Sequence, residues 1–65
     1  MKANKDRVYL AMARACLTRG ELAVAAELPI PTVCKVLQGY SVRPATLGKV
    51  ARALGVDVAE LLEDE

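Results

Sequence analysis

The stretch Leu17-Thr18-Arg19-Gly20-Glu21-Leu22-Ala23-Val24-Ala25-Ala26-Glu27-Leu28-Pro29-Ile30-Pro31-Thr32-Val33-Cys34-Lys35-Val36-Leu37-Gln38-Gly39 decides the fold. Thr18 and Glu21 stand in the T-x-x-E spacing of a capping box, and Leu17 and Leu22 occupy the two positions of a hydrophobic staple. A helix therefore starts at Thr18, with a cap worth about 1 kcal/mol, and runs to about Glu27. Leu28-Pro29 breaks it. A further helix follows over residues 30–38, with Pro31 in the first turn, where a missing N–H costs nothing. Val33, Val36 and Leu37 give it an i, i+3, i+4 apolar stripe, and Gly39 ends it as a C′ glycine.

The same devices recur on both sides of this stretch. Upstream, Asn4 is a fair N-cap for a helix over residues 5–16, whose apolar face holds Val8, Ala11, Met12 and Ala15. Downstream, Ser41 suits an N-cap and Pro44 a first turn; Leu47, Val50, Ala51 and Leu54 make the buried stripe, and Gly55 stops it. Asp57 and Glu60 then form a D-x-x-E variant of the capping box, with Val56 and Leu61 as staple, and open a fifth helix. Residues 63–65 read as a frayed acidic tail. The expectation is an all-α, compact five-helix bundle in a single domain, 1–65.

Composition agrees with that reading. A chain of 65 residues is one domain, and at this size only about 60% of the unfolded surface is buried, so the core must be efficient. Apolar residues make up 54% of the chain, but there is no Phe or Trp and only two Tyr, Tyr9 and Tyr40. Ala, Val and Leu carry the core instead, and Ala and Leu are strong helix formers. No apolar run approaches the roughly 20 residues that span a bilayer, and no signal-peptide pattern follows the charged start. No membrane association is expected, and the localisation expected is cytoplasmic. Cys16 and Cys34, without any histidine, cannot complete a four-ligand zinc site; they read as two reduced thiols, and no metal, cofactor or small-molecule ligand is expected.

The net charge of +1 hides an asymmetry. Residues 1–56 hold all nine bases (among them Arg14, Lys49 and Arg52, read as solvated helix faces) against three acids, a net +6; residues 57–65 hold the other five acids and no base. A basic body with an acidic end fits a polyanionic partner at one face.

Two short helices joined by about three residues match the spacing of a helix-turn-helix, whose second helix enters the DNA major groove. The order Leu17-Thr18-x-x-Glu21-Leu22-Ala23-x-x-Ala26, Leu28, Thr32-Val33, Val36-Leu37-x-Gly39, Arg43-Pro44, Leu47, Val50-Ala51-x-Ala53-Leu54-Gly55-Val56-Asp57-x-x-Glu60-Leu61-Leu62 resembles the Cro and lambda-repressor family of helix-turn-helix proteins, also called the XRE family, over about residues 8–62. The resemblance implies a lambda-repressor-like DNA-binding bundle, in which a homodimeric transcriptional regulator, as a repressor, reads double-stranded DNA through the third helix. By position it assigns Thr18 and Arg19 to a phosphate at the start of the second helix. Ile30, Pro31, Thr32 and Lys35 fall on groove-facing positions. Gln38, Tyr40 and Arg43 fall where the DNA backbone is held, with Arg43 also in reach of the minor groove. Tyr40 reads equally as a loop anchor. Cys34 stands where Ser is common, either as a redox-sensitive contact near DNA or as a small residue that fits.

The chain departs from the family at three places. Pro29 replaces a small polar residue. Glu27 replaces a glycine, which threatens to distort the turn. Ile30 and Pro31 cannot hydrogen-bond a base edge and can only pack against thymine methyl groups, so direct readout falls to Thr32 and Lys35, the latter able to reach guanine O6 and N7. Modest specificity, or dependence on DNA shape, is expected. The rival reading is a protein-interaction module, or an antitoxin, using the same fold, with the apolar Ile30-Pro31 tip as its evidence. The sequence offers no His, no acid–base pair in a pocket and no phosphate loop, so no enzyme is expected. A dimer has only the fifth helix (Val58, Leu61, Leu62) and nearby loops to use.

Overall fold

The computed structural model describes residues 2–62; the frayed tail expected at 63–65 lies outside them. Four α-helices follow one another, α1 (Lys5–Ala15), α2 (Arg19–Ala26), α3 (Ile30–Leu37) and α4 (Pro44–Leu54), and a single 3-10 turn, Val58–Glu60, closes the order. Among the described residues the expected fifth helix is reduced to this turn, so the count there is four helices and a turn. A D-x-x-E box cannot extend a helix here because only Asp57 acts, accepting from the Ala59 N–H at 3.0 Å, and because Leu61 immediately turns into the core.

Local chemistry sets most of the boundaries. The Asn4 Oδ1 accepts from the N–H groups of Asp6 and Arg7 at 3.0 and 3.2 Å and starts α1. The full capping box starts α2: Thr18 Oγ1 accepts from the Glu21 N–H at 3.2 Å, and Glu21 Oε1 accepts from the Thr18 N–H at 3.1 Å. The N-cap of α4 is Arg43, not Ser41, and Pro44 is its first residue. Ser41 is drawn instead into an antiparallel bridge with Lys2.

All four helices end on the same pair of backbone bonds, in which the chain reverses through a left-handed residue. Gly39 and Gly55 take that conformation after α3 and α4, at φ 82° and 72°; Cys16 and Glu27 take it after α1 and α2, each at φ 57°. The expected distortion after α2 is absent: the Glu27 and Leu28 N–H groups donate to the Val24 and Ala23 carbonyls at 3.2 and 2.9 Å. The turn keeps its form, and Glu27 carries the strain of the left-handed region, about 1–2 kcal/mol for a residue with a Cβ.

The helices pack around one core. α2 lies on α3 and α4, α1 on α3 and α4, and the 3-10 turn on α4. Leu22, Leu47, Leu61, Val8, Val33, Val36 and Val50 are its largest fully buried side chains. The expected stripes of α3 (Val33, Val36, Leu37) and α4 (Leu47, Val50, Ala51, Leu54) are buried in full, and Val8, Ala11 and Met12 are buried from α1. Alanines at the contacts let the helices approach closely: the radius of gyration is 10.0 Å, against about 11 Å typical for this length. Among the described residues no polar or charged side chain is buried, and no helix is long and apolar enough to cross a membrane.

The segment before α1 is fixed rather than trailing. Ala3 is buried and bridges to Leu62. The Asn4 N–H donates to the Leu61 carbonyl at 2.7 Å, and Arg7 Nη1 donates to the Leu62 carbonyl at 3.1 Å. Leu61, the expected staple residue and one of three apolar residues from which a dimer contact could come, is a core residue, and Val58 and Leu62 are half-buried against it.

Candidate nucleic-acid interface

The three buried residues of α3 dictate what its other side presents. At 100° per residue, Val33, Val36 and Leu37 span one arc, so Pro31, Cys34, Lys35 and Gln38, spaced i, i+3, i+4, i+7, form the opposite one. Exposure follows this geometry: Pro31, Lys35 and Gln38 are exposed and Cys34 is half-buried at the margin. Ile30 opens the helix with 55% of its surface exposed, and Thr32, on the other margin, is half-buried. The face therefore offers an apolar leading end, Ile30 and Pro31, and a polar body with Lys35 as its charge.

α2 reaches α3 across three residues, Glu27, Leu28 and Pro29. At its start Thr18 and Arg19 are exposed. The Thr18 oxygen is taken as a cap, but a hydroxyl keeps a proton to donate while it accepts. Arg19 is the first residue of α2, and the first N–H groups of a helix have no intrahelical partner, so this end combines a basic side chain with the positive end of a helix, which attracts anions. Beyond α3 the loop carries Tyr40, 59% exposed, and Arg43, exposed at the N-cap of α4. The side chain of Tyr40 does not serve as a buried anchor; its backbone N–H instead closes α3, donating to the Lys35 carbonyl at 3.0 Å.

Two bases that the sequence did not mark join this region. Lys2, Lys5, Asp6, Gln38 and Gly39 line one shallow groove. It runs from the end of α3 to the start of α1, joined through the Lys2–Ser41 bridge. Nothing local signals this neighbourhood, because Lys2 and Gln38 are distant along the chain and meet only through tertiary pairing. Arg14, Lys49 and Arg52 lie on exposed helix faces, as expected. Of the late acids, Glu60 lies elsewhere, in a groove it shares with Arg7, Leu10 and Arg14 of α1. Among the described residues no group of three His, Cys, Asp or Glu is placed to hold a metal ion.

Comparison with known proteins adds one structural likeness. No family model matches the chain, and no curated protein matches it. A solved structure of a hydroxyethylphosphonate dioxygenase variant is similar to it, with a TM-score of 0.85 and 25% sequence identity over 98% of this chain. The chain spans 14% of the length of that dioxygenase. The expectation that no enzyme is involved is corrected here: nearly the whole fold of this chain recurs as a segment of an enzyme. The expectation rested on residues absent from 65 positions, and such an absence says nothing about a fold that also occurs inside a larger catalyst.

Proposed function

We propose that the chain binds double-stranded DNA as a transcriptional regulator, with α2 and α3 as a helix-turn-helix and the outer face of α3 in the major groove. The observation that carries this reading is the division of α3 into a fully buried stripe and an exposed face of Pro31, Cys34, Lys35 and Gln38, flanked by the exposed bases Arg19 and Arg43. A groove about 12 Å wide admits such a helix. Lys35 supplies the reach to guanine and Ile30 an apolar contact for thymine methyl, while Thr18, Arg19, Gln38, Tyr40 and Arg43 hold the backbone. Repression follows from occupying a promoter, and two copies on adjacent half-sites supply the affinity that one short helix lacks.

Fluorescence anisotropy on a random-sequence duplex tests the reading. With Arg19 and Arg43 on phosphates, raising salt from about 50 to about 200 mM weakens binding roughly 12-fold, from about 0.9 counterion per contact. Absence of binding at the lower salt refutes it.

A second reading rests on the likeness to the dioxygenase: the chain is a helical module of an oxygenase-type protein. Oxygen uptake with hydroxyethylphosphonate as substrate tests it, and uptake no faster than a buffer control counts against it.

A further inference from the structure

We propose that the segment before α1 forms a second phosphate-binding strip, in which Lys2 and Lys5 hold the DNA backbone beside α3. The proposal rests on the DNA-binding reading and extends it to residues outside the helix pair.

Three observations carry it. First, the segment is pinned: Asn4 is tied to Leu61 through the backbone, Ala3 is 2% exposed and paired with Leu62, and Lys2 is paired with Ser41. A fixed backbone brings its lysines to a ligand without the ordering cost of a free arm. Second, Ser41 lies between Tyr40 and Arg43, so the pairing sets Lys2 against the loop whose residues are placed on the DNA backbone. Third, Lys2 and Lys5 are exposed and share their groove with Gln38, the last residue on the outer face of α3. Two ammonium groups and a carboxamide offer many donors to a phosphodiester oxygen. Asp6 lines the same groove and opposes the anion, but two bases against one acid leave it positive. In the first turn of α1 that carboxylate also meets the helix dipole favourably.

The experiment is duplex binding by anisotropy at about 50 and about 200 mM salt, for the wild-type chain, a Lys2→Ala/Lys5→Ala double variant and a Lys35→Ala/Arg43→Ala double variant, with circular dichroism melts as the folding control. Loss of both N-terminal contacts lowers the salt exponent by about 1.8, so the fourfold salt step weakens that variant about 12-fold less than the wild type. Asp6→Asn binds more tightly than the wild type at the lower salt. A wild-type salt response in the N-terminal variant, with a flattened one in the Lys35/Arg43 variant, overturns this strip and leaves the α3 reading standing. An unaltered response in both variants, or no binding by the wild type, overturns both.

Discussion

The two eight-residue helices α2 and α3 pack against each other but are secured by different means. Both close on the same pair of backbone bonds, but α2 is also held at its start from within its own sequence, by a reciprocal capping box. α3 has Pro29 at its N-cap, no side-chain cap, and Pro31 in its first turn. It stays helical because Val33, Val36 and Leu37 are driven into the core, where burial of each aliphatic side chain contributes about 1.5–3 kcal/mol. The difference lies in what each helix asks of its exposed residues. A helix anchored by one buried stripe needs nothing from its outer residues, so these are open to chemistry, whereas at the start of α2 the Glu21 carboxylate is committed to the cap and Thr18 keeps only its hydroxyl proton free.

The comparison breaks most visibly at Leu37. Leu37→Ala, which removes buried contact from α3, costs about 2–5 kcal/mol, a large part of the stability of a domain this small; a loss under 1 kcal/mol in urea denaturation means that burial does not hold α3. Thr18→Ala removes the local device of α2 and costs about 1 kcal/mol, read as a lowered denaturation midpoint, and an unchanged midpoint shows the cap to be idle. Glu27→Gly acts in the opposite direction. It relieves a left-handed conformation worth about 1–2 kcal/mol at the cost of about 0.5–1 kcal/mol of added chain freedom, so a net gain of about 0.5–1 kcal/mol is expected in the same melt. The smallest effect on stability belongs to Lys35→Ala, within about 0.5 kcal/mol, although it weakens duplex binding. A destabilised Lys35→Ala erases the distinction between an anchoring and a presenting face.

How much of this was legible in the sequence follows from the range of each interaction. Thr18 with Glu21, Asn4 with the start of α1, and Gly39 and Gly55 act within one turn of chain, and the structure shows each in the role its local sequence indicates. The i, i+3, i+4 stripes were legible because one buried face per helix leaves a periodic trace. Ser41 and Asp57 were misread because distant partners decided their roles. Ser41 looks like a cap until Lys2 pairs with it, and Asp57 does cap one N–H, but the chain after it is captured by Ala3 and the core before a helix can propagate. A helix nucleus is costly and needs length to repay it. Glu27 differs in another sense: the loss of the family's glycine suggests a distorted turn, yet two backbone bonds hold a glutamate in its place. Within the candidate interface, the outer face of α3 was legible from its period, and the lysines before α1 were not, since no local pattern reports a contact made through the far end of the chain.

On the proposed function, the outer face of α3 meets DNA. A titration of the 15N-labelled chain with a short duplex, followed by amide chemical shifts, tests it most directly. The largest shifts are expected at Thr32, Cys34, Lys35 and Gln38, with Arg19 and Arg43 next. Shifts confined to the opposite surface around Lys49 and Arg52, or no shifts with excess duplex, contradict it.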